Sequence, residues 1–159
     1  MEALPLDVRR VRYDDPVAAA LVVDLQAEFV VRYGGPDRTP VDPDEFAPPH
    51  GVFLVAWLDG EPVGCGGWRR IDPTLGEIKR MYVVAARRGR GLSRLLLSAL
   101  EDAARAEGLQ RLRLETGDRQ PEAVRLYESS GYTPIPGFGY YAGHPGSLTF
   151  GKGLGAAGS

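Results

Sequence analysis

The spacing of apolar residues predicts two long amphipathic helices. The clearer one begins at Leu92, from which leucines and alanines recur three and four residues apart as far as Ala104, and Gly108 follows as a stop signal. The other is expected over residues 16–33. It starts with a proline after two aspartates and ends before Gly34-Gly35.

Runs of β-branched and aromatic residues predict the strands. Residues 52–58 and 62–70 flank Asp59-Gly60, a dipeptide favoured in two-residue hairpin turns, and residues 77–84 follow as a further strand. Residues 6–13 alternate loosely and are expected at a sheet edge. Because hairpins join antiparallel neighbours, the first half of the chain predicts an antiparallel sheet.

The second half predicts a change of strand direction. A strand over residues 111–116 follows the helix that begins at Leu92, and this order indicates a right-handed crossover to a parallel strand. A short helix from about residue 121 to 130 and a last strand over residues 148–152 complete the pattern. Residues 34–51 hold five prolines, so only a short helical turn is expected there.

Composition narrows the class of protein. The 159 residues carry a formal net charge of −2, which does not favour a nucleic-acid partner, and no apolar run is long enough to span a membrane. Cys65 is the only cysteine, and His50 and His144 lie far apart, so no metal site is expected. We expect a cytoplasmic protein with one domain over residues 1–152 and a flexible tail over residues 153–159.

The segment between the strand at residues 77–84 and the helix at Leu92 has the composition of an anion site. Free N–H groups and the positive dipole end of a helix start attract phosphate, and Gly89 and Gly91 let phosphate oxygens approach the main chain. Four arginines lie within eight residues here: Arg87, Arg88, Arg90 and Arg94. The alternative is a tight turn with solvated arginines.

Two well-known phosphate loops do not match. The sequence contains no P-loop string, and Gly89-x-Gly91 is followed by Arg94 where a dinucleotide fingerprint needs its third glycine. A nucleotide-dependent oxidoreductase is therefore a weaker alternative.

The turn resembles the pyrophosphate loop of the GNAT acyl-CoA-dependent N-acyltransferases. That loop has the form Gln/Arg-x-x-Gly-x-Gly/Ala, and Arg88-Gly89-Arg90-Gly91-Leu92-Ser93 matches it except that serine stands in the last position. The preceding segment, residues 77–83, looks like the family's fourth strand.

A second motif lies downstream. Residues 120–132 resemble the family's Asn-x-x-Ala-x-x-Leu-Tyr-x-x-x-Gly-Phe, with Gln120 in place of asparagine and Tyr132 in place of phenylalanine. The resemblance covers about residues 6–152, with sharp motifs between Glu77 and Tyr132. Two motifs in the right order are more specific than either alone.

The resemblance implies an α/β fold (in the α+β style) with a mixed, mostly antiparallel sheet flanked by helices and two splayed central strands. It implies acetyl transfer from acetyl-CoA, as co-substrate, to a primary amine of a small molecule by direct attack in a ternary complex. A non-catalytic acyl-CoA-binding sensor is the second alternative. The chain is expected to act as a monomer or homodimer, without nucleic-acid or membrane partners.

The resemblance also implies the residues of the site. The Val83 N–H is expected to polarise the thioester carbonyl. The expected cofactor contacts are Met81, Tyr82, Val83, Arg88, Gly89, Arg90, Gly91, Leu92, Ser93, Arg94, Gln120, Ala123 and Tyr127.

Tyr127 and Glu77 are the expected catalytic pair. Tyr127 matches the family's general acid, although a tyrosine there would also fit the core. Glu77 stands six residues before Val83, where histone-type members of the family place a catalytic glutamate, and this resemblance makes it the candidate base. Strand alternation predicts that Glu77, Lys79, Met81 and Val83 share one face, so a salt bridge to Lys79 is the alternative role of Glu77.

The sequence leaves alternatives for the base and for the residues around the acceptor. Glu115 or a chain of waters is the alternative base. Lys79 and Arg80 are expected either to meet an anionic substrate group, such as a carboxylate, or to pair with Glu77 or Glu115. The proline-rich segment is expected to shape acceptor specificity, and Phe138, Tyr140 and Tyr141 are expected to line the acceptor pocket or to cover the core.

Overall fold

The computed structural model describes residues 6–155, which form seven strands and three helices. The strands are β1 (Leu6–Arg10), β2 (Gly51–Leu58), β3 (Glu61–Arg70), β4 (Leu75–Val83), β5 (Arg111–Gly117), β6 (Thr133–Pro134) and β7 (Ser147–Gly153). The helices are α1 (Pro16–Tyr33), α2 (Leu92–Ala106) and α3 (Pro121–Ser129). Short 3-10 helices lie at Pro43–Phe46 and Ala85–Arg87.

All the strands join one sheet in the order β1-β2-β3-β4-β5-β7-β6. Every neighbouring pair is antiparallel except β4 and β5, which are parallel and joined through α2. The expected mixed, mostly antiparallel sheet is therefore confirmed, with β1 at one edge. The two-residue strand β6 at the other edge is too short to leave a hydrophobic pattern.

Local signals explain where the long helices begin and end. The Asp15 carboxylate accepts hydrogen bonds from the first-turn amides of α1, and Gly34 ends that helix with φ of 80°. Helix α2 begins after Gly91, whose φ of 78° suits a residue without Cβ.

Each face of the sheet is covered by one long helix. On the α2 face, leucines such as Leu96 and Leu100 pack around Trp68, whose indole N–H donates to the Leu100 carbonyl at 3.1 Å. On the α1 face, Leu21 belongs to a smaller cluster that includes Phe53. Both faces of the sheet are therefore covered, and β2 is a nearly continuous apolar run because it is buried on both sides.

The two parallel central strands separate along their length. They pair only where Leu75–Ile78 of β4 faces Arg111–Leu114 of β5. Beyond Ile78 and Leu114 the strands no longer pair, although each continues for several residues. The expected splay of the central strands is present, and it opens at their carboxyl ends.

A bulge interrupts β4 just beyond this point. The register between β3 and β4 shifts between Cys65 and Gly67, and Arg80 has a φ of 61°, in the left-handed region. One extra residue reverses the alternation of side chains between the faces. Lys79 therefore stays on the α1 face, where it meets the loop after α1, whereas Met81 packs in the α2 cluster.

The prediction that Glu77, Lys79, Met81 and Val83 share one face is therefore wrong. Strict alternation assumes a regular strand, and the sequence contains no signal that marks Arg80 as a bulge.

The C-terminal boundary also differs from the expected one. Gly153 is the last residue of β7, and Leu154 is buried, with its N–H donated to the Gln110 carbonyl at 2.9 Å. These two residues were expected in the flexible tail but pack with the domain, while residues 156–159 of that tail lie outside the described part. Within residues 6–155, no helix has the length and apolar character that crossing a membrane requires.

Candidate active site

The turn before α2 presents a row of backbone donors. Gly89 and Gly91 both have positive φ, and a Cβ built on either would meet no atom within 4 Å. No side chain caps the helix start, and in the described part of the chain no acceptor bonds the amides of residues 89–94. Free N–H groups at the positive end of a helix dipole could hold an anion, which is the role that the sequence predicts for this turn.

The arginines of this segment are directed to different places. Arg88 Nε donates to the Val83 carbonyl at 2.9 Å, and its Nη2 lies 2.5 Å from Glu28. Arg88 therefore folds back over β4 rather than into the turn. Arg94 donates to the hydroxyl groups of Ser129 and Ser130 at the end of α3.

A cavity of about 660 Å³ opens between the start of α2 and α3. Two arginines, Arg94 and Arg125, line it together with Gly91 and Ser93. Glu122 and Glu128 also line the cavity, so carboxylates as well as guanidinium groups lie beside the free amides.

The Val83 N–H faces the opening between β4 and β5. Val84 donates its N–H to the Val63 carbonyl of β3 at 2.9 Å. Successive residues of an antiparallel strand direct their N–H groups to opposite sides, so the Val83 N–H is directed away from β3. This is the donor that the family resemblance places near the thioester carbonyl.

Tyr127 lies at the same opening, on α3. Its side chain is 6% exposed, and its hydroxyl contacts only the Met81 sulfur, at 3.7 Å, among the described residues. Burial raises the pKa of Tyr127, so the phenol stays protonated and can act as a proton donor. Its ring also packs edge-on against Tyr132, so Tyr127 contributes to the core whether or not it also acts as an acid.

Glu77 is held by two guanidinium groups. Arg69 of β3 lies 3.2 Å from one carboxylate oxygen, and Arg113 of β5 lies 2.9 Å from the other. The three residues are register partners across adjacent strands, and Glu77 is 5% exposed. Both carboxylate oxygens are thus occupied by guanidinium groups, and this geometry speaks against Glu77 as the base.

Lys79 and Arg80 share a different carboxylate, that of Asp37 in the loop after α1. Lys79 Nζ lies 3.3 Å from Asp37 Oδ2, and Arg80 bonds the same oxygen. Burial alone would raise the pKa of Asp37, but the two cations lower it to about 2. The expected pairing of Lys79 with Glu77 does not form.

Glu115 stands beyond the last paired residue of β5. In the described part of the chain its one hydrogen-bond partner is the Ser147 hydroxyl, at 2.8 Å. Burial raises the pKa of Glu115, and the Ser147 bond and the charge of Lys79 oppose this only in part. This carboxylate, unlike Glu77, is free to accept a proton.

A cleft of about 900 Å³ lies on the α1 side of this opening. Lys79 and Glu115 lie at its base, and the proline-rich segment contributes Asp37 and Arg38. Aromatic side chains line its walls, among them Tyr33, Tyr140 and Tyr141. Tyr140 and Tyr141 were expected from the sequence. Tyr33 and His144 were missed, because neither belongs to a sequence motif and only the folded chain brings them to the cleft.

Three remaining expected residues occupy supporting positions. Phe138 stacks on the Arg113 guanidinium at 3.8 Å from the ring centre, so it covers the Glu77 cluster. Gln120 begins α3, and its side-chain oxygen accepts a bond from Tyr33 at 3.3 Å. Ala123 is half-buried against the core. Residues 6–155 contain no group of three or more side chains suited to hold a metal ion.

A sheet that splits between two parallel central strands, with an anion-binding turn at the end of one of them, is the architecture of acyl-CoA-dependent N-acyltransferases. The chain belongs to the GNAT acetyltransferase family, since the model for the "Acetyltransferase (GNAT) family" matches residues 19–132. The chain is thus an acyltransferase enzyme of a family that uses acetyl-CoA.

Individual relatives agree with this assignment. The chain is 42% identical over 116 residues to an IAA acetyltransferase from Azospirillum brasilense, covering 72% of this chain and 75% of the relative. It is 34% identical over 108 residues to the uncharacterized N-acetyltransferase YsnE from Bacillus subtilis, covering 67% and 72%. A solved structure from Klebsiella pneumoniae, assigned to the acyl-CoA N-acyltransferases, matches with a TM-score of 0.80 and 31% identity over 94% of this chain and 98% of that one.

Proposed function

We propose that this protein transfers an acetyl group from acetyl-CoA to a primary amine of a small molecule, by direct attack in a ternary complex. The observation that carries the proposal is the meeting of three features at the split between β4 and β5. These are the free amides of residues 89–94, the Val83 N–H and the protonated Tyr127 hydroxyl.

The residues present fit acetyl-CoA. When bound, it supplies the acetyl group as a reactive thioester. The amides of residues 89–94 and the guanidinium of Arg94 suit a diphosphate, and Gly89 and Gly91 leave room for its oxygens. The unpaired edge of β4 beyond Ile78 suits an extended arm that hydrogen-bonds like an added strand.

The chemistry at the split needs one donor, one acid and one base. The Val83 N–H can donate to the carbonyl oxygen as negative charge develops there. Tyr127 can give its proton to the leaving thiolate. Glu115 rather than Glu77 takes the proton of the attacking amine, because Glu77 is engaged by Arg69 and Arg113.

The large cleft supports a small acceptor. Its aromatic walls and buried ionic base enclose a volume typical of small-molecule sites. The tyrosine at the split argues against a sensor that binds acyl-CoA without turning it over.

The test is acceptor-dependent release of free thiol from acetyl-CoA. A panel of primary amines is assayed together with IAA, the compound in the name of the Azospirillum relative. We expect turnover with one or more amines, and mass spectrometry should find the acetylated amine as product. Tight acetyl-CoA binding without turnover on any acceptor would favour the sensor instead.

A further inference from the structure

The base of the cleft holds a buried ammonium group that shares its carboxylate. Lys79 is 8% exposed, and Asp37 is its one carboxylate partner within 4 Å among residues 6–155. Asp37 Oδ2 also bonds Arg80, which sits deeper. Two cations on one carboxylate leave one positive charge without a counter-ion in direct contact.

The other nearby carboxylates do not supply that counter-ion. Glu77 is already paired with Arg69 and Arg113. Glu115 forms no ion pair within 4 Å among the described residues, and its bond is to the Ser147 hydroxyl. Burial and the neighbouring charge of Arg80 lower the pKa of Lys79, and the carboxylates of Asp37 and Glu77 oppose this only in part.

The parallel register brings Lys79 and Glu115 to the same level. Ile78 and Leu114 are the last paired residues of β4 and β5, and Lys79 and Glu115 directly follow them. Ile78 and Leu114 pack into the α2 cluster, so alternation directs the next residue of each strand to the cleft face. An ammonium group and a carboxylate group thus flank the opening, one on each separating strand.

We infer that the acceptor is a carboxylate-bearing amine of the α-amino-acid type, whose carboxylate binds the Lys79 ammonium while its amine faces Glu115. This rests on the proposed function and specifies its acceptor. Such a molecule carries opposite charges on neighbouring carbons, which matches a site where opposite charges face each other. The exposed Arg38 at the rim of the cleft adds a second cation on the approach.

The test compares acceptors in matched pairs that differ only in the carboxylate. L-phenylalanine is assayed against 2-phenylethylamine, and L-leucine against 3-methylbutylamine, with saturating acetyl-CoA. Because a hydrogen bond to a charged group contributes about 1.5–3 kcal/mol, we expect kcat/KM to be at least about tenfold higher for the carboxylated member. The wild-type ratio needs no variant, so it decides the matter even if a substitution prevents folding.

Substitution of Lys79 tests whether this residue causes the preference for the carboxylated amine. Lys79→Met keeps the length of the side chain and removes the charge, and it should bring the kcat/KM ratio within each pair close to one. Lys79→Arg should retain a preference for the carboxylated member. Arg111→Met, at the far end of β5 on an exposed side chain, should leave the ratio unchanged.

The outcomes separate this inference from the proposed function. Equal or faster turnover of the decarboxylated amines would overturn the carboxylate inference and leave amine acetylation standing. A preference for the carboxylated member that survives Lys79→Met would overturn it as well. No turnover of any amine with acetyl-CoA bound would overturn the proposed function and this inference with it.

Discussion

Two buried tyrosines lie side by side near the split, with ring centres 5.7 Å apart, yet their hydroxyl groups have different partners. The Tyr132 hydroxyl donates to Glu101 at 2.7 Å, which is a strong, charge-assisted bond. The Tyr127 hydroxyl has a weak acceptor, the Met81 sulfur, as its one hydrogen-bond partner among the described residues. The first is a structural contact, whereas the second leaves a proton available for transfer.

Tyr127→Phe should therefore lower kcat by about 10²-fold or more, the usual contribution of a placed acid. The affinity for acetyl-CoA should change little, because phenylalanine keeps the ring in the core. Steady-state kinetics and calorimetric titration with acetyl-CoA measure the two quantities.

Tyr132→Phe is the matched control. It removes the bond to the buried Glu101 carboxylate, which keeps Lys152 as its other partner. We expect a loss of about 1–3 kcal/mol in the free energy of unfolding and an unchanged kcat. If Tyr127→Phe turned over as fast as the wild type, the role of Tyr127 as the acid would have to be abandoned.

At the scale of the elements, β4 and β5 each carry one glutamate into the middle of the sheet, and the surroundings decide what each can do. Glu77 lies where the strands are paired, so arginines from both neighbouring strands reach it. Glu115 lies where they have separated, so it meets the cleft and Ser147 instead. The split thus divides a structural carboxylate from one that is free to react.

Glu115→Gln should abolish the acidic limb of the pH–rate profile. A base works only when ionised, so activity falls as the pH drops through its pKa. Because burial raises the pKa of Glu115, that fall should occur above the pH at which an ordinary glutamate titrates. The profile of kcat/KM against pH, with a saturating second substrate, measures this.

Glu77→Gln is the comparison variant. It leaves two arginines without their carboxylate, so the free energy of unfolding should fall by about 3 kcal/mol, measured by denaturant titration. The acidic limb should survive in whatever protein remains folded. Loss of that limb in Glu77→Gln, together with its retention in Glu115→Gln, would return the base to Glu77.

The bulge in β4 shows where local sequence patterns no longer predict the structure. Helical spacing, runs of β-branched and aromatic residues, and turn signals predicted the long helices and six of the seven strands, because each is a local signal. The bulge at Arg80 is accompanied by contacts with residues distant in sequence. Its left-handed backbone is accompanied by bonds from the guanidinium to Asp37 and Tyr13, which lie far away in sequence.

For the whole molecule, the anion-binding turn could be predicted and the acceptor cleft could not. The turn is built from consecutive residues 88–94, so its glycines and arginines can be recognised directly in the sequence. The cleft draws on the loop after α1, on β4 and β5, and on the loop before β7. The pairing of Asp37 with Lys79 joins residues 42 positions apart, and it follows from the topology rather than from any motif.

The two sides of the split between β4 and β5 offer different chemical groups. The α2 and α3 side offers amides and arginines to a diphosphate, and the α1 side offers aromatic walls and paired charges to an acceptor. In the proposed mechanism the reacting groups meet between them, where β4 and β5 have separated.

The most direct measurement follows the backbone amides of isotope-labelled protein by NMR during titration with acetyl-CoA, with NAD as the comparison ligand. If the turn before α2 holds the diphosphate, the amide resonances of Gly89 to Arg94 and of Val83 shift most and saturate together, and NAD leaves them in place. Saturable binding of acetyl-CoA that leaves those amides unshifted and moves another surface would contradict the proposed site.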